Sequence, residues 1–209
     1  SNMQDASKEI DPTKTYFTRE WGDNVDDWSS HNSPSRVARN WGEEPMRVQA
    51  RHYASPSYPV TNYDILYKQS PQHVGGCLWH SFDHQRGYHP DPFYGGLMDV
   101  FRQPKYSYYM FMAQRPAVKD AQLAGSGPMV YIAHEMTPFS GKDVTVYSNC
   151  DEVRLTFNKG GKTYTYKKDK NRPGMPSPVI TFPDVYDFMV DKALSRAQKQ
   201  DDVYLLAEG

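Results

Sequence analysis

Cysteine is scarce in this sequence, with only Cys77 and Cys150 among 209 residues. The two lie far apart and are flanked by strand-like runs, which excludes the disulfide framework of a small secreted domain. Cys77 also has no basic neighbour in sequence that would favour a thiolate. We therefore predict two buried, unreactive thiols.

Long apolar runs and an excess of charge of one sign are also missing. No segment approaches the roughly 18 consecutive apolar residues of a membrane-spanning helix. The 24 basic and 25 acidic side chains leave a formal charge of −1. Such a chain has no general attraction for nucleic acid or anionic membranes. We predict neither as a partner.

Several familiar motifs are absent. There is no glycine-rich phosphate loop, no Gly-x-Ser-x-Gly elbow and no internal repeat, and no cofactor is predicted. The first residues, Ser1-Asn2-Met3, are not followed by the apolar segment of a signal peptide. Ser1-Asn2 resembles the remnant of an expression tag, so we expect the chain to be a piece of a longer protein.

Aromatic residues are abundant, at 14% of the chain with 16 Tyr, 9 Phe and 4 Trp. Disordered chains have few aromatics, so we expect this chain to fold. A polar chain rich in flat rings is also typical of proteins that handle sugars, because the rings cover the apolar faces of pyranoses.

The first half alternates strand, loop and helix. We predict strands at 13–20 and 73–82, with helices at 46–53 and 105–115 and a helical turn at 63–68. Long polar loops, predicted at 23–42 and 83–96, follow the strands. This order is typical of parallel βα units, so residues 1–116 are predicted to be α/β.

The second half changes to short alternating strands separated by Gly, Asn and Ser turns, with one polar helix at 191–200. This spacing predicts an all-β sandwich over 117–209. The predicted strands are 129–136, 143–149, 153–157, 162–167, 179–182 and 203–206. An immunoglobulin-like sandwich has about seven strands, which leaves room for one strand beyond Gly209.

Glu20 and Trp79 come at the ends of the two predicted parallel strands. Active sites of parallel barrels lie at such strand ends. On position alone, however, a salt-bridged Glu20 beside Arg19 and a core Trp79 are the more common outcomes. His80 and His84 are four apart, as helical metal ligands would be, but Gly87 and prolines indicate a loop, so no metal site is predicted.

Four segments, in order, resemble family 2 glycoside hydrolases such as β-galactosidases and β-glucuronidases. The sequence Thr-Arg-Glu-Trp-Gly at 18–22 is similar to the strand-end motif that holds their nucleophile. Gly-Gly-Cys-Leu-Trp at 75–79 resembles their eighth barrel strand with its active-site tryptophan. Residues 96–105 resemble the segment leading into the last barrel helix, and 144–155 the start of the following β-sandwich.

The resemblance implies an α/β plus all-β fold: a partial (β/α)8 barrel containing the last two βα units, followed by an immunoglobulin-like β-sandwich. It implies that Glu20 is the nucleophile of a retaining exo-β-glycosidase acting on terminal β-galactosides or related β-glycosides. The predicted sugar contacts are Trp21, Trp79, Asp83, His84 and Arg86. The acid/base Glu of the family lies on an earlier strand, so the isolated chain is expected to be inactive.

The expected partners are an oligosaccharide substrate and the rest of the parent chain. Open strand edges in a partial barrel also predict self-association. The parent is expected to be periplasmic or secreted in a bacterium. The alternative is a non-catalytic sugar-binding or scaffolding module, in which Trp21, Trp28, Trp41 and Trp79 hold a glycan, and a third interpretation is a plain interaction domain.

Overall fold

A computed structural model of the chain describes residues 11, 13–21, 36–54, 73–85, 87, 90, 92–171 and 175–209. The chain divides into two compact units, Ser1–Tyr108 and Tyr109–Gly209. The predicted helical turn at 63–68 and most of the loop at 23–42 lie outside the described residues. The predicted domain boundary at 116 and the assignment of each domain to a family stay predictions.

The first unit contains two parallel strands. Strand β1 (Tyr16–Trp21) pairs in parallel with β2 (His73–Leu78), with Thr18 opposite Gly76 and Trp21 opposite Leu78. Helix α1 (Glu43–Ala54) lies between them in sequence, and α2 (Tyr106–Met112), which follows β2, crosses the boundary so that Tyr109 belongs to the second unit. A short 3-10 turn, Arg39–Trp41, precedes α1. The alternating pattern of the sequence predicted this parallel pairing, which the structure confirms.

Helix α1 begins three residues ahead of the predicted position 46, at two acidic residues and a proline. Carboxylates suit the positive end of the helix dipole, and proline is tolerated in a first turn. Arg47 adds ion pairs to Glu43, with Nη1 3.1 Å from Oε1, and to Glu44. Met46, Ala50 and Tyr53 are buried along one stripe, as the helical period requires.

The second unit is built from two antiparallel three-stranded sheets. One has the order β3-β4-β7 and the other β6-β5-β8. Their strands are β3 (Val130–Ala133), β4 (Val144–Ser148), β5 (Glu152–Phe157), β6 (Thr163–Lys167), β7 (Ile180–Phe182) and β8 (Leu205–Glu208). Helix α3 (Phe188–Arg196) comes between the last two. All six strands lie at or within three residues of their predicted positions.

One apolar core joins the two sheets. Val144 and Val146 of β4 and Val153 and Leu155 of β5 are all fully buried, and β7 adds Ile180 and Phe182. On β5 the buried residues alternate with exposed Glu152 and Arg154, because successive side chains of a strand point to opposite faces. Burial of this kind contributes roughly 25 cal/mol per Å² of apolar surface.

Strand β4 is buried on both faces. On the face away from the core, Tyr131 of β3 lies parallel to Tyr109 of α2, with ring centroids 3.5 Å apart, and Tyr147 stacks beyond it at 6.4 Å. The pair at 6.4 Å lies within the roughly 4.5–7 Å range in which aromatic pairs add about 0.5–1.5 kcal/mol beyond their buried area. The tyrosines therefore cover the side of β4 that the sandwich core leaves open.

The prediction of two buried thiols is wrong for Cys77, which is exposed, while Cys150 is half-buried; both are free. Cys77 lies on β2, which in the described sheet pairs with β1 alone, and a sheet this small leaves side chains uncovered. Val74 of the same strand is likewise 64% exposed. Within the described ranges, no helix has the length and apolar content needed to cross a membrane.

The sandwich core generates a first prediction. Leu155→Ala should lower the free energy of unfolding by about 2–5 kcal/mol, because the deleted atoms leave a cavity in a fully packed site. Leu206→Ala is the matched control, since Leu206 is 46% exposed on the neighbouring strand β8. Urea unfolding measures both variants, and equal losses would contradict the assignment of the core.

His52 of α1 generates a second prediction, because burial lowers its pKa from 6.5 to about 4. Between these values the unfolded chain binds the proton more tightly than the folded chain. Stability should therefore fall by on the order of 3 kcal/mol as the pH drops from 7 to 4.

Urea unfolding of the chain and of His52→Gln across this pH range isolates the contribution of His52. The difference in stability between the two proteins should shrink as the pH falls. A difference that does not depend on pH would show that His52 titrates normally in the folded chain.

Candidate active site

The two parallel strands end at the same edge of their sheet, and the residues singled out there are Glu20 and Trp79. Glu20 immediately precedes Trp21, which pairs with Leu78, and Trp79 follows Leu78 directly. The backbones of Glu20 and Trp79 therefore lie at one edge. The side chains of Glu20 and Trp21, and the whole of Arg86, lie outside what the structure describes.

Trp79 begins a cluster of rings just beyond β2. Its half-buried indole meets the ring of His80 at 5.3 Å and that of His84 at 5.9 Å, both edge to face. The ring of Phe93 closes the cluster, 4.7 Å from His80 and 5.8 Å from His84. The peptide bond between Trp79 and His80 is cis. The cluster packs against the indole of Trp79 and fixes its position.

The two histidines share one hydrogen-bond acceptor. His80 Nδ1 lies 2.7 Å and His84 Nδ1 3.3 Å from the carbonyl oxygen of Phe82. A carbonyl only accepts hydrogen bonds, so each Nδ1 carries a proton and donates it. The Nδ1 atoms of both histidines are thus used as donors to the backbone. In the described part of the chain no three His, Cys, Asp or Glu side chains are grouped as metal ligands would be, and His89 lies outside it.

Asp83 and Lys105 form a buried ion pair beside this cluster. Lys105 Nζ lies 2.7 Å from Asp83 Oδ1, and the two side chains are 0% and 3% exposed. The ammonium also donates to the carbonyl oxygens of Val37 and, at 2.9 Å, Tyr94. Burial raises the pKa of Asp83 and lowers that of Lys105, while the partner charge opposes both shifts.

Two glycines allow the backbone to approach this pair. The amide of Gly96 donates to Asp83 Oδ1 at 2.9 Å. A Cβ at Gly96 would lie 2.5 Å from the carbonyl oxygen of Met98, and one at Gly95 would lie 2.9 Å from His80 Nε2. No side chain fits at either position, which explains the Gly-Gly pair.

Main-chain hydrogen bonds hold the segment after β2 along its length. Leu97 N donates to His80 O at 3.2 Å, and Met98 N donates to Ser81 O at 3.0 Å. Asp83 N donates back to Met98 O at 2.9 Å. Residues 80–83 are thus fixed to 97–98 as an irregular continuation of the strand. The predicted loop at 83–96 is therefore anchored at its base.

Of the predicted contacts, Trp79 and His84 are half-buried and adjacent, whereas Asp83 is buried and engaged with Lys105 and Gly96. Their contact with a sugar stays a prediction. Sequence reasoning missed Lys105, since the run Arg-Gln-Pro-Lys alone does not distinguish a buried ammonium from an exposed one. The one available signal was the position of this lysine directly before an aromatic-rich helix.

Comparison with known proteins finds partial relatives, and no family model matches the chain. The chain is 30% identical over 163 residues to a β-galactosidase of Thermoanaerobacter pseudethanolicus, a match covering 65% of this chain and 21% of that protein. The chain thus spans about a fifth of the length of the curated relative it matches.

Solved structures show the same partial match. Bacteroides uniformis β-glucuronidase superimposes with a TM-score of 0.50 at 19% identity, over 88% of this chain and 21% of that chain. A β-glucuronidase from glycoside hydrolase family 2 superimposes with a TM-score of 0.44 at 21% identity, over 82% and 16% of the two chains.

The buried pair generates a third prediction. Asp83→Asn or Lys105→Met alone should lower the free energy of unfolding by about 3–5 kcal/mol, because each leaves an uncompensated buried partner. The double variant Asp83→Leu/Lys105→Met should recover most of this loss, since it buries no charge. Urea unfolding measures all three variants.

The control is Lys142→Met, which removes an exposed pair with Asp184 at 3.4 Å. Exposed pairs contribute about 0–1 kcal/mol. Single variants of Asp83 and Lys105 that cost no more than Lys142→Met would show that the pair is not desolvated.

Proposed function

We propose that this chain, which is similar to the C-terminal part of family 2 glycoside hydrolases, supplies the nucleophile of a retaining exo-β-glycosidase. The parent enzyme hydrolyses terminal β-galactosides or related β-glycosides in oligosaccharides. Galactose is favoured because the 30% identical relative is named a β-galactosidase. Activity requires the rest of the parent chain, which supplies the acid/base residue.

The parallel register of β1 and β2 is the observation that carries this proposal. It puts the backbone of Glu20 and that of Trp79 at the carboxyl edge of adjacent strands. Parallel barrels build their active sites from this edge. A carboxylate and an aromatic platform side by side are what a glycosidase needs to attack a sugar and to hold it.

The chemistry assigns Glu20 the role of nucleophile. In the first step the ionised carboxylate attacks the anomeric carbon while a second carboxyl group, about 5–5.5 Å away, protonates the leaving oxygen. The glycosidic bond breaks and a glycosyl ester forms on Glu20. Water, deprotonated by the second group, then releases the sugar. That acid/base residue belongs to the parent outside this chain, so the isolated chain is inactive.

Trp79 is the proposed platform under the sugar, with His84 beside it as a polar contact. The ring contacts of Trp79 with His80 and His84 fix its indole within the cluster, which supports its assignment as the platform. His84 is half-buried and its Nδ1 is engaged with Phe82 O, so its Nε2 is the atom for the substrate. Trp21 and Arg86 complete the proposed contacts.

We also propose the two domains that the family resemblance implies. Residues 1–116 form the last two βα units of the catalytic barrel, and 117–209 an immunoglobulin-like sandwich. The parallel pair supports the first assignment. Two antiparallel sheets around one core support the second.

The mutation Glu20→Gln in the full-length parent tests the nucleophile. It should lower kcat on an aryl β-galactoside on the order of 10⁴-fold or more, because the amide cannot form the glycosyl ester. The matched control is Glu208→Gln, an exposed residue of β8, which should leave kcat unchanged.

Two results would contradict the proposal. Turnover by Glu20→Gln at the wild-type rate would leave Glu20 structural and favour the sugar-binding module. Turnover by the isolated chain, lost on Glu20→Gln, would instead show that no second carboxyl group from the parent is required.

A further inference from the structure

We propose that Lys105 is a positioning residue, which through Asp83 holds Trp79 in place at the edge of the parallel strands. The inference rests on the proposed function, because it concerns the platform of the same site. It assigns Asp83 to this support and not to direct contact with the sugar.

All three hydrogen-bond donors of the Lys105 ammonium are used. It has three N–H donors, and three acceptors surround it: Asp83 Oδ1 and the carbonyl oxygens of Val37 and Tyr94. Its side chain is 0% exposed. Lys105 therefore has neither a donor nor an open path for a substrate, and any effect on binding must pass through these three partners.

The three partners lie at separate places in the first unit. Val37 lies just ahead of α1, and Asp83 and Tyr94 lie in the segment between β2 and α2. One ammonium thus holds the chain ahead of α1 to two points of the segment that begins at Trp79.

A short series of hydrogen bonds and ring contacts connects Asp83 to Trp79. Asp83 is held by Lys105, by the amide of Gly96 and, through its own amide, by Met98. His80, which follows Trp79 directly, is bound to Leu97 through its carbonyl oxygen. His80 and Trp79 also meet ring to ring. A shift of Asp83 therefore moves the segment 80–83 and the indole attached to its start.

Stability alone does not account for such a pair. Replacing a buried ion pair by apolar side chains of similar volume is often neutral or stabilising, because the desolvation of two charges offsets their attraction. The pair instead fixes the relative positions of the segments. The ammonium forms all three of its hydrogen bonds only when the three acceptors lie in one particular arrangement around it. We therefore expect its loss to change substrate binding specifically.

The test is Lys105→Met in the full-length parent, with KM and kcat measured on an aryl β-galactoside. A platform contact is made equally in the ground and transition states, so its loss raises KM and leaves kcat unchanged. We expect KM to rise about 10-fold, as for Trp79→Ala. A loss of stability alone lowers the folded fraction and the apparent kcat, and leaves KM at the wild-type value.

A double-mutant cycle with Trp79→Ala shows whether the two residues act together. The combined variant Lys105→Met/Trp79→Ala should have the KM of Trp79→Ala alone, because Lys105 acts through Trp79. Lys142→Met, which removes an exposed lysine, is the control and should leave KM and kcat unchanged. If Lys105→Met does not fold, Asp83→Leu/Lys105→Met takes its place, and the same rise in KM is expected.

Three results would overturn the inference without touching the nucleophile. These are a wild-type KM in the folded Lys105 variants, a KM increase that multiplies with that of Trp79→Ala, and a wild-type KM in Trp79→Ala itself. In each case Glu20→Gln would still abolish turnover. Wild-type turnover by Glu20→Gln would overturn the proposed function and the inference with it.

Discussion

The buried ammonium of Lys105 is the constraint on which the first unit depends. With its side chain 0% exposed, it has to satisfy its charge from Asp83 and two carbonyl oxygens, and these come from three separate segments. A charge taken out of water is costly unless it is paired and hydrogen-bonded. The chain ahead of α1 and the segment after β2 are therefore fixed relative to one another, and glycine is required at 96 so that its amide reaches Asp83.

The second unit is stabilised by different means. Its core is apolar, with valines, leucine, isoleucine and phenylalanine from two sheets, and stacked tyrosines cover the outer face of β4. The polar groups that are buried there are paired, as when Asn158 Nδ2 donates to Asp191 Oδ1 at 3.0 Å. Burial of apolar area is non-directional, so the core of the second unit stabilises the packing of the two sheets as a whole. The ion pair of the first unit is directional and fixes the positions of particular side chains.

Local patterns in the sequence predicted most of the elements. The spacing of Tyr106, Tyr109 and Met110 is helical, and the alternation of Val153 and Leu155 with polar neighbours is that of a strand, because both patterns reflect short-range geometry. The pairing of Asp83 with Lys105 was missed because it depends on how distant segments fold together. The exposure of Cys77 was missed for a related reason: an apolar strand pattern does not show whether other elements pack over the side chains of that strand.

Covalent labelling tests most directly whether Glu20 is a nucleophile. The full-length parent is treated with a 2-deoxy-2-fluoro-galactosyl inactivator, and the adduct is located by peptide mass spectrometry. The account predicts an adduct on Glu20, since a retaining enzyme forms its glycosyl ester there. An adduct on another residue, or none with the galacto, gluco and manno inactivators, would contradict it.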